Sequence, residues 1–175
     1  IVFDEISNQI NKFNKIFNPK NLKIDGHEHV HLIPWIYNHL SKNIENYDIS
    51  EMRNSNEELM TPRLKDIICI RYLRNVSACI LIKFFSLVNK KLKISSPKFS
   101  GLLYSGMQDM QTLKKTINHF KKKDIKSFEI LIHPGFTTHK EKEKFKKEYF
   151  SFYSSQKRKV EYDLCFSERI KEKLT

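Results

Sequence analysis

The chain predicts a parallel α/β fold, because segments with helical and strand periodicity alternate along its 175 residues. Apolar residues recur at three- and four-residue steps over residues 2–17, which indicates an amphipathic helix that ends before Pro19. Two segments of strand length, residues 21–25 and the apolar run 128–132, each lead into a segment that carries histidine. We therefore expect parallel strands with outer helices, in a single domain over residues 1–175.

The same periodicities predict the remaining elements. In chain order they are a helix over 34–42 with Pro34 in its first turn, a short strand over 49–53, a long and largely buried helix over 64–88, a strand within 92–99, a helix over 107–121, and two charged helices within 140–175 that break near 154–155. A loop over residues 99–106 carries two glycines but lacks phosphate-loop spacing.

Composition indicates a globular protein with a strong basic bias. The formal net charge is +12, from 32 Lys and Arg against 20 Asp and Glu, and lysine is densest over 114–126 and 140–147. Such charge can attract nucleic acid, anionic membranes or acidic sugars. Most aromatic residues lie on apolar stripes rather than beside clustered lysines, so no nucleic-acid partner is expected. The most apolar region, 67–88, contains three basic residues, so we expect no membrane span.

The cysteines and the first residues favour a reducing, cytoplasmic location. Cys69, Cys79 and Cys165 are odd in number and widely spaced among apolar residues, so buried free thiols are expected. The first five residues include two carboxylates and no basic residue, which is not typical of a signal peptide. Without an initiator methionine, the chain is expected to begin inside a longer sequence.

Three histidines and an aspartate are concentrated in the stretch Asp25-Gly26-His27-Glu28-His29-Val30-His31. If the strand stays extended through this stretch, Asp25 and the three histidines project from one face. Imidazole and carboxylate are the usual ligands of zinc and similar divalent ions. The pattern predicts a metal-binding or catalytic segment at the end of a strand.

Two further strand ends carry candidate functional residues. His133 stands where an apolar strand meets the Pro134-Gly135 turn, and it could act as a general acid, a ligand or a turn residue. Arg53 ends the strand over 49–53 and could bind an anionic or polar substrate group. The histidines at 39, 119 and 139 lie in helical or exposed contexts and are expected to be structural.

Taken together, Ile24-Asp25-Gly26-His27-Glu28-His29-Val30-His31 and Ile132-His133-Pro134-Gly135 resemble the motifs of the YdjC-like carbohydrate deacetylases, the chitooligosaccharide deacetylase family. The resemblance covers nearly the whole chain in the same order. Supporting features are the pair Met52-Arg53, the glycine-bearing loop over 99–106, and a tail with Arg158, Glu161, Leu164 and Ser167 at three-residue intervals.

The resemblance implies an incomplete or distorted (β/α) barrel that removes N-acetyl groups from amino-sugar oligosaccharides with one divalent metal ion, Mg or Zn. By motif position His27 is a metal ligand, and the catalytic residues are His133, as acid or substrate contact, and Asp25, which orients the histidine row. Substrate-binding positions implied on the same basis are Arg53, His29, His31 and Gly135.

The family's N-terminal Asp-Asp-Phe-Gly segment, which supplies a catalytic aspartate and a metal ligand, is absent from this sequence, as is a further strand-end histidine ligand. A complete (β/α) barrel takes about 250 residues, so the chain is expected to form the C-terminal part and to be weak or inactive by itself. The alternatives are another barrel metal hydrolase, of the amidohydrolase or phosphoesterase type, a basic binding module, and a non-catalytic truncated scaffold. A homodimer is an open alternative for the assembly.

Overall fold

The computed structural model describes residues 1–89, 96–138, 141, 155–168 and 170. Within them the elements in chain order are α1 (Val2–Phe17), β1 (Leu22–Ile24), a 3₁₀ segment (His27–Leu32), α2 (Pro34–Lys42), α3 (Ile44–Tyr47), β2 (Ile49–Met52), α4 (Leu64–Ile67), α5 (Ile70–Val88), β3 (Lys98–Ser100), α6 (Met110–Lys122), β4 (Phe128–Ile130) and α7 (Gln156–Cys165).

The first layer packs α1, α2 and α3 around the parallel pair β1 and β2. Ile24 of β1 lies opposite Met52 of β2, so the two strands end at the same edge. Asn18 in the left-handed conformation, followed by Pro19, ends α1 at the predicted point. A cluster of apolar side chains fills this layer: Ile10, Leu22, Ile36, Leu40, Tyr47, Ile49 and Met52. The predicted helices over 2–17 and 34–42 and the predicted strands near 21–25 and 49–53 are confirmed.

The second layer contains the parallel pair β3 and β4, with α6 and α7 packed against it. Phe99 pairs with Glu129, and both strands point to the same end. Asp109 caps α6 by accepting from the Thr112 backbone N–H at 2.9 Å. Leu113 and Ile117 of α6 pack with Leu164 of α7 in a separate apolar cluster. The strand β4 stops at Ile130, so the predicted extension to residue 132 was too long.

The prediction of one long, largely buried helix over 64–88 was wrong in two respects. The helix is broken at residues 68–69 into α4 and α5. Only one face of α5 is buried, through Tyr72, Cys79 and Ile82, whereas Ile80 and Phe84 are each 58% exposed. Hydrophobic residues cover most of the circumference of this helix, so periodicity alone could not select the buried face.

The parallel α/β prediction is confirmed, but no closed barrel is formed by the part of the chain that the structure describes. The strands there form two separate parallel pairs, β1 with β2 and β3 with β4. Much of the predicted strand over 92–99, His139, and most of the tail from 140 lie outside the described residues, apart from α7. Among the described helices, none combines the length and apolar character needed to cross a membrane.

The three cysteines are free thiols, as predicted, but they differ in burial. Cys79 is buried, Cys69 is partly exposed and Cys165 is exposed, so the expectation of burial was wrong for Cys165. Cys79 packs in the core on α5, where burial raises the pKa of its thiol to about 12. This thiol is therefore held in its neutral form and acts as a small apolar side chain.

Candidate functional site

The histidine stretch is a 3₁₀ segment rather than an extended strand, so the predicted row of four polar side chains does not form. The chain turns after β1, and Glu28 and His29 adopt left-handed conformations with φ of 49° and 62°. Such conformations are uncommon for residues other than glycine and occur where surrounding contacts hold the backbone. The three histidines consequently point into three different surroundings.

His31 is buried at 2% exposure and joins the ends of β1 and β2. Its Nδ1 accepts a hydrogen bond from the Gly26 backbone N–H at 2.9 Å. Nε2 therefore carries the proton and donates to the Arg53 carbonyl at 2.7 Å. Burial lowers the pKa of His31. With both ring nitrogens engaged by the backbone, His31 has no ring atom left for a substrate, and it acts as a latch between the two strand ends.

His29 is partly buried beside the hydroxyl group of Ser55. Its Nδ1 lies 2.8 Å from the hydroxyl of Ser55, which is fully buried. Burial is the main cause that lowers the pKa of His29, and repulsion from the charges of His31, Arg53 and His133 adds to it, while Asp25 opposes it. The influence of His133 indicates that the histidine segment and the end of β4 share one electrostatic environment.

His27 is exposed and lines a largely apolar groove of about 730 Å³ between α1, β1 and α2. Asp25, Gly26 and Val30 line the same groove. His133 is not among the residues that line it. The structure thus leaves the imidazole of His27 accessible to a ligand, and it places His29 within electrostatic reach of His133.

Arg53, the residue after β2, lies between two carboxylates, Asp25 after β1 and Glu129 within β4. Its guanidinium donates through Nη1 to Asp25 and through Nε to Glu129 at 2.6 Å. Its Cζ also lies 5.9 Å from the centre of the Phe99 ring. These contacts use two of the five guanidinium N–H donors, so a contact with a substrate group would use an N–H on Nη1 or Nη2. The cluster brings together two predicted site residues, Asp25 and Arg53, and adds Glu129.

The turn after β4 is held from both sides by α7. The His133 backbone N–H donates to Glu161, and the His133 carbonyl accepts from Arg158 Nε at 3.3 Å. Arg158 also donates to the Pro134 carbonyl at 3.1 Å. A Cβ on Gly135 would lie 2.5 Å from the Arg158 guanidinium carbon, so glycine is needed there for the guanidinium to reach the turn. Gly135 therefore serves the conformation of the turn that carries His133.

A second buried carboxylate shapes the adjacent loop. Glu57, 5% exposed, accepts from the Ser100 hydroxyl at 2.5 Å and from the backbone N–H groups of Gly101 and Leu103 at 3.0 and 2.8 Å. A Cβ on Gly101, which has φ of 116°, would lie 2.4 Å from the Leu131 carbonyl oxygen. The glycine and the carboxylate together set the path of the loop beyond β3.

Three acidic residues of the site were missed or underrated by sequence reasoning. Glu57 and Glu129 carried no local signal, since isolated glutamates are common on surfaces. Glu161 did carry one, because it lies three residues after Arg158, a spacing that places both side chains on one face of a helix. The structure shows that this face of α7 contacts the His133 turn.

The described residues do not supply a complete metal site. No group of three His, Cys, Asp or Glu side chains within them is placed to hold an ion. Asp25 is paired with Arg53, and both ring nitrogens of His31 are bound to the backbone, whereas the imidazole of His27 is exposed and accessible. A single imidazole is not the three- or four-donor set on which protein zinc sites depend. The predicted roles of His27, His29, Asp25 and Arg53 remain predictions.

Comparison with known proteins agrees with the resemblance of the two histidine motifs. No match was found among curated proteins or among solved structures. A family model described as YdjC-like protein matches residues 1–175, the whole of the chain. The match includes the histidine segment after β1, the His133 turn after β4 and the part of the tail that clamps this turn. The chain therefore belongs to the family of YdjC-like proteins.

Proposed function

We propose that this chain is the C-terminal part of a carbohydrate deacetylase-type hydrolase that releases acetate from N-acetylated amino sugars. Membership of the YdjC-like family supports the reaction class and the carbohydrate substrate. The observation that carries the proposal is the placement of His133 at the end of β4, with its backbone held on both sides by α7. A partly exposed imidazole on a restrained backbone suits proton transfer to a substrate.

His133 is proposed as the general acid. Its side chain is 34% exposed, and Nδ1 is buried, 4.0 Å from a carboxylate oxygen of Glu161. Nε2 is therefore the ring nitrogen that can reach a substrate. Breaking the amide bond of an acetamido group leaves an amine that needs a proton, and an imidazolium can donate it.

The cluster of Asp25, Arg53 and Glu129 is proposed to position the sugar. The Asp25 side chain is 46% exposed while paired with Arg53, so its free oxygen can accept hydrogen bonds from sugar hydroxyls. Its ion pair keeps this carboxylate in place, which reduces the entropy lost on binding. Arg53 thus acts first on Asp25, and a direct contact with the sugar is secondary.

His27 is proposed as one ligand of the divalent ion on which the family generally depends. Its partners would have to lie outside the described residues, because those residues do not form a three-donor site. We therefore expect this chain by itself to bind Mg²⁺ or Zn²⁺ weakly and to catalyse slowly.

Acetate release tests the proposal. An N-acetylated chitooligosaccharide is incubated with the chain, and with the longest product of its reading frame, in the presence of Mg²⁺ or Zn²⁺. His133→Ala should lower the rate about 10²- to 10⁴-fold, the range for a general acid, and His27→Ala should abolish it. His119→Ala on α6, whose imidazole pairs with Glu58, is the matched control and should keep the full rate.

Unchanged rates in both site variants would reject the assignment. The alternative favoured by a specific observation is a non-catalytic scaffold, because three converging donor side chains are lacking among the described residues. That alternative predicts no acetate release under any metal condition, together with saturable binding of the oligosaccharide. The homodimer and the cytoplasmic location stay predictions.

A further inference from the structure

Glu161 is a fully buried carboxylate that binds two backbone segments outside its own helix. It lies on α7 with 0% exposure. Its two oxygens accept from two different backbone segments, the Gln108 N–H at 3.3 Å and the His133 N–H. A buried charge is tolerated when such donors satisfy it. These bonds hold the loop before α6 and the turn after β4 against the same carboxylate.

The imidazole of His133 presents an unused polar atom to this carboxylate. Its Nδ1 is buried and has no hydrogen-bond partner among the described residues. The nearest anionic oxygen is Glu161 Oε2, at 4.0 Å. Hydrogen bonds between nitrogen and oxygen span about 2.7–3.2 Å. A movement of about 1 Å, within reach of a small rotation of the ring, would therefore form the bond.

The backbone of His133 is restrained during such a rotation. Glu161 holds its N–H, while Arg158 holds its carbonyl and that of Pro134. A rotation that brings Nδ1 to Glu161 would therefore move the imidazole ring alone. Glu161 would then accept from both the backbone and the ring of the same histidine.

We propose that Glu161 is the positioning residue of His133, building on the proposed deacetylase function. It accepts the Nδ1–H hydrogen bond, which selects the neutral tautomer with the proton on Nδ1. It also balances the positive charge when Nε2 carries a second proton. After water has added to the acetyl carbon, that proton passes from Nε2 to the nitrogen of the departing amine as the C–N bond of the tetrahedral adduct breaks. The electron pair of the broken bond stays on nitrogen, and the carbon leaves as acetate with the oxygen of the added water. The imidazole returns to its neutral Nδ1–H form.

Ring ¹⁵N NMR of the labelled chain tests this role directly. Spectra are recorded at a pH where imidazole is neutral, and His133→Ala identifies the signals. We expect a protonated Nδ1 in the wild type. In Glu161→Gln we expect a marked shift toward the Nε2–H form, because the substituted amide cannot match both the backbone and the ring donors.

Arg158→Lys is the matched structural control. This substitution disturbs the bonds from the Arg158 guanidinium to the carbonyls of His133 and Pro134, and it leaves Glu161 in place beside the imidazole. We expect the Nδ1–H tautomer to persist in this variant. A purely structural role of Glu161 would give the same tautomer in both variants.

Kinetics provide the second readout. In preparations that release acetate, Glu161→Gln should lower kcat about 10- to 100-fold, the range for a residue that orients a catalytic group, with KM little changed. Glu58→Gln, a surface carboxylate, should leave both constants unchanged.

The possible failures are distinguishable. If the wild-type ring carries its proton on Nε2, the positioning role is overturned, whether or not the variants fold. A folded Glu161→Gln protein with the wild-type tautomer also overturns it. Undiminished acetate release in His133→Ala rejects the proposed acid instead, and this result does not depend on the tautomer measured for the ring.

Discussion

Replacing His31 with alanine tests whether the histidine segment is a folded latch rather than a row of ligands. The imidazole bonds the Gly26 N–H and the Arg53 carbonyl, and it is 2% exposed. The alanine variant loses both bonds and leaves a partly buried donor and a partly buried acceptor without this partner. His27→Ala, four residues earlier in the same segment, removes an exposed ring and is the matched control.

The expected cost follows from those two bonds. A typical hydrogen bond contributes about 0.5–1.5 kcal/mol, and an unsatisfied buried group costs about 1–3 kcal/mol. Partial relaxation and entry of water into the space left by the ring reduce the sum, so we expect about 2–4 kcal/mol for His31→Ala. The substitution at 27 should stay within about 0.5 kcal/mol, as for most surface positions.

Urea denaturation followed by circular dichroism gives the free energy of unfolding of both variants and of the wild type, and thermal denaturation gives their melting temperatures. For a chain of this size, about 1 kcal/mol corresponds to about 2–4 °C in melting temperature, so His31→Ala should melt about 4–16 °C lower. Equal stability of the two variants would refute the latch. A larger loss in His27→Ala than in His31→Ala would show that the ring assignments are reversed.

Two further predictions concern pH and the loop beyond β3. Burial lowers the pKa of both His29 and His31 in the folded protein. When the pH falls below 6.5, the ordinary pKa of histidine, the unfolded chain therefore binds protons that the folded chain does not bind. The free energy of unfolding should therefore be constant above that pH and decrease as the pH falls below it. Thermal melts at a series of pH values should show a weaker decrease in His31→Asn than in the wild type. Identical slopes in the two proteins would contradict the prediction. Glu57→Gln should lower the free energy of unfolding by about 2–4 kcal/mol. Its amide nitrogen is a donor, so it cannot accept from the hydroxyl and N–H groups that now bind both carboxylate oxygens. Urea denaturation against Glu58→Gln, an exposed neighbour, checks this, and equal stability of the two variants would contradict it.

Much of the first layer could be predicted from local pattern. The amphipathic stripe of α1, the stop at Asn18 and Pro19, and Pro34 at the start of α2 are each set by neighbours in sequence. The order of strand, histidine segment and helix was also correct. The geometry of that segment was not, because alternation assumes an extended backbone, whereas residues 28 and 29 are left-handed.

The error over α5 has a different physical origin. Its sequence is apolar around most of the helix, so helical periodicity shows that a helix forms but not which face is buried. Tyr72 and Cys79 are buried in a cluster with Leu103 and Tyr104, which lie on a loop far along the chain from both of them. No local pattern contains that contact.

The sequence by itself determined the parallel α/β class, the family, and the positions of the histidines close to the ends of β1 and β4, since each depends on residue order and local periodicity. Only the tertiary structure decided what each histidine can do. His31 became a latch, His27 stayed exposed, and His133 was set against Glu161 of α7, because burial and long-range hydrogen bonds, rather than neighbours in sequence, select the partner of each ring.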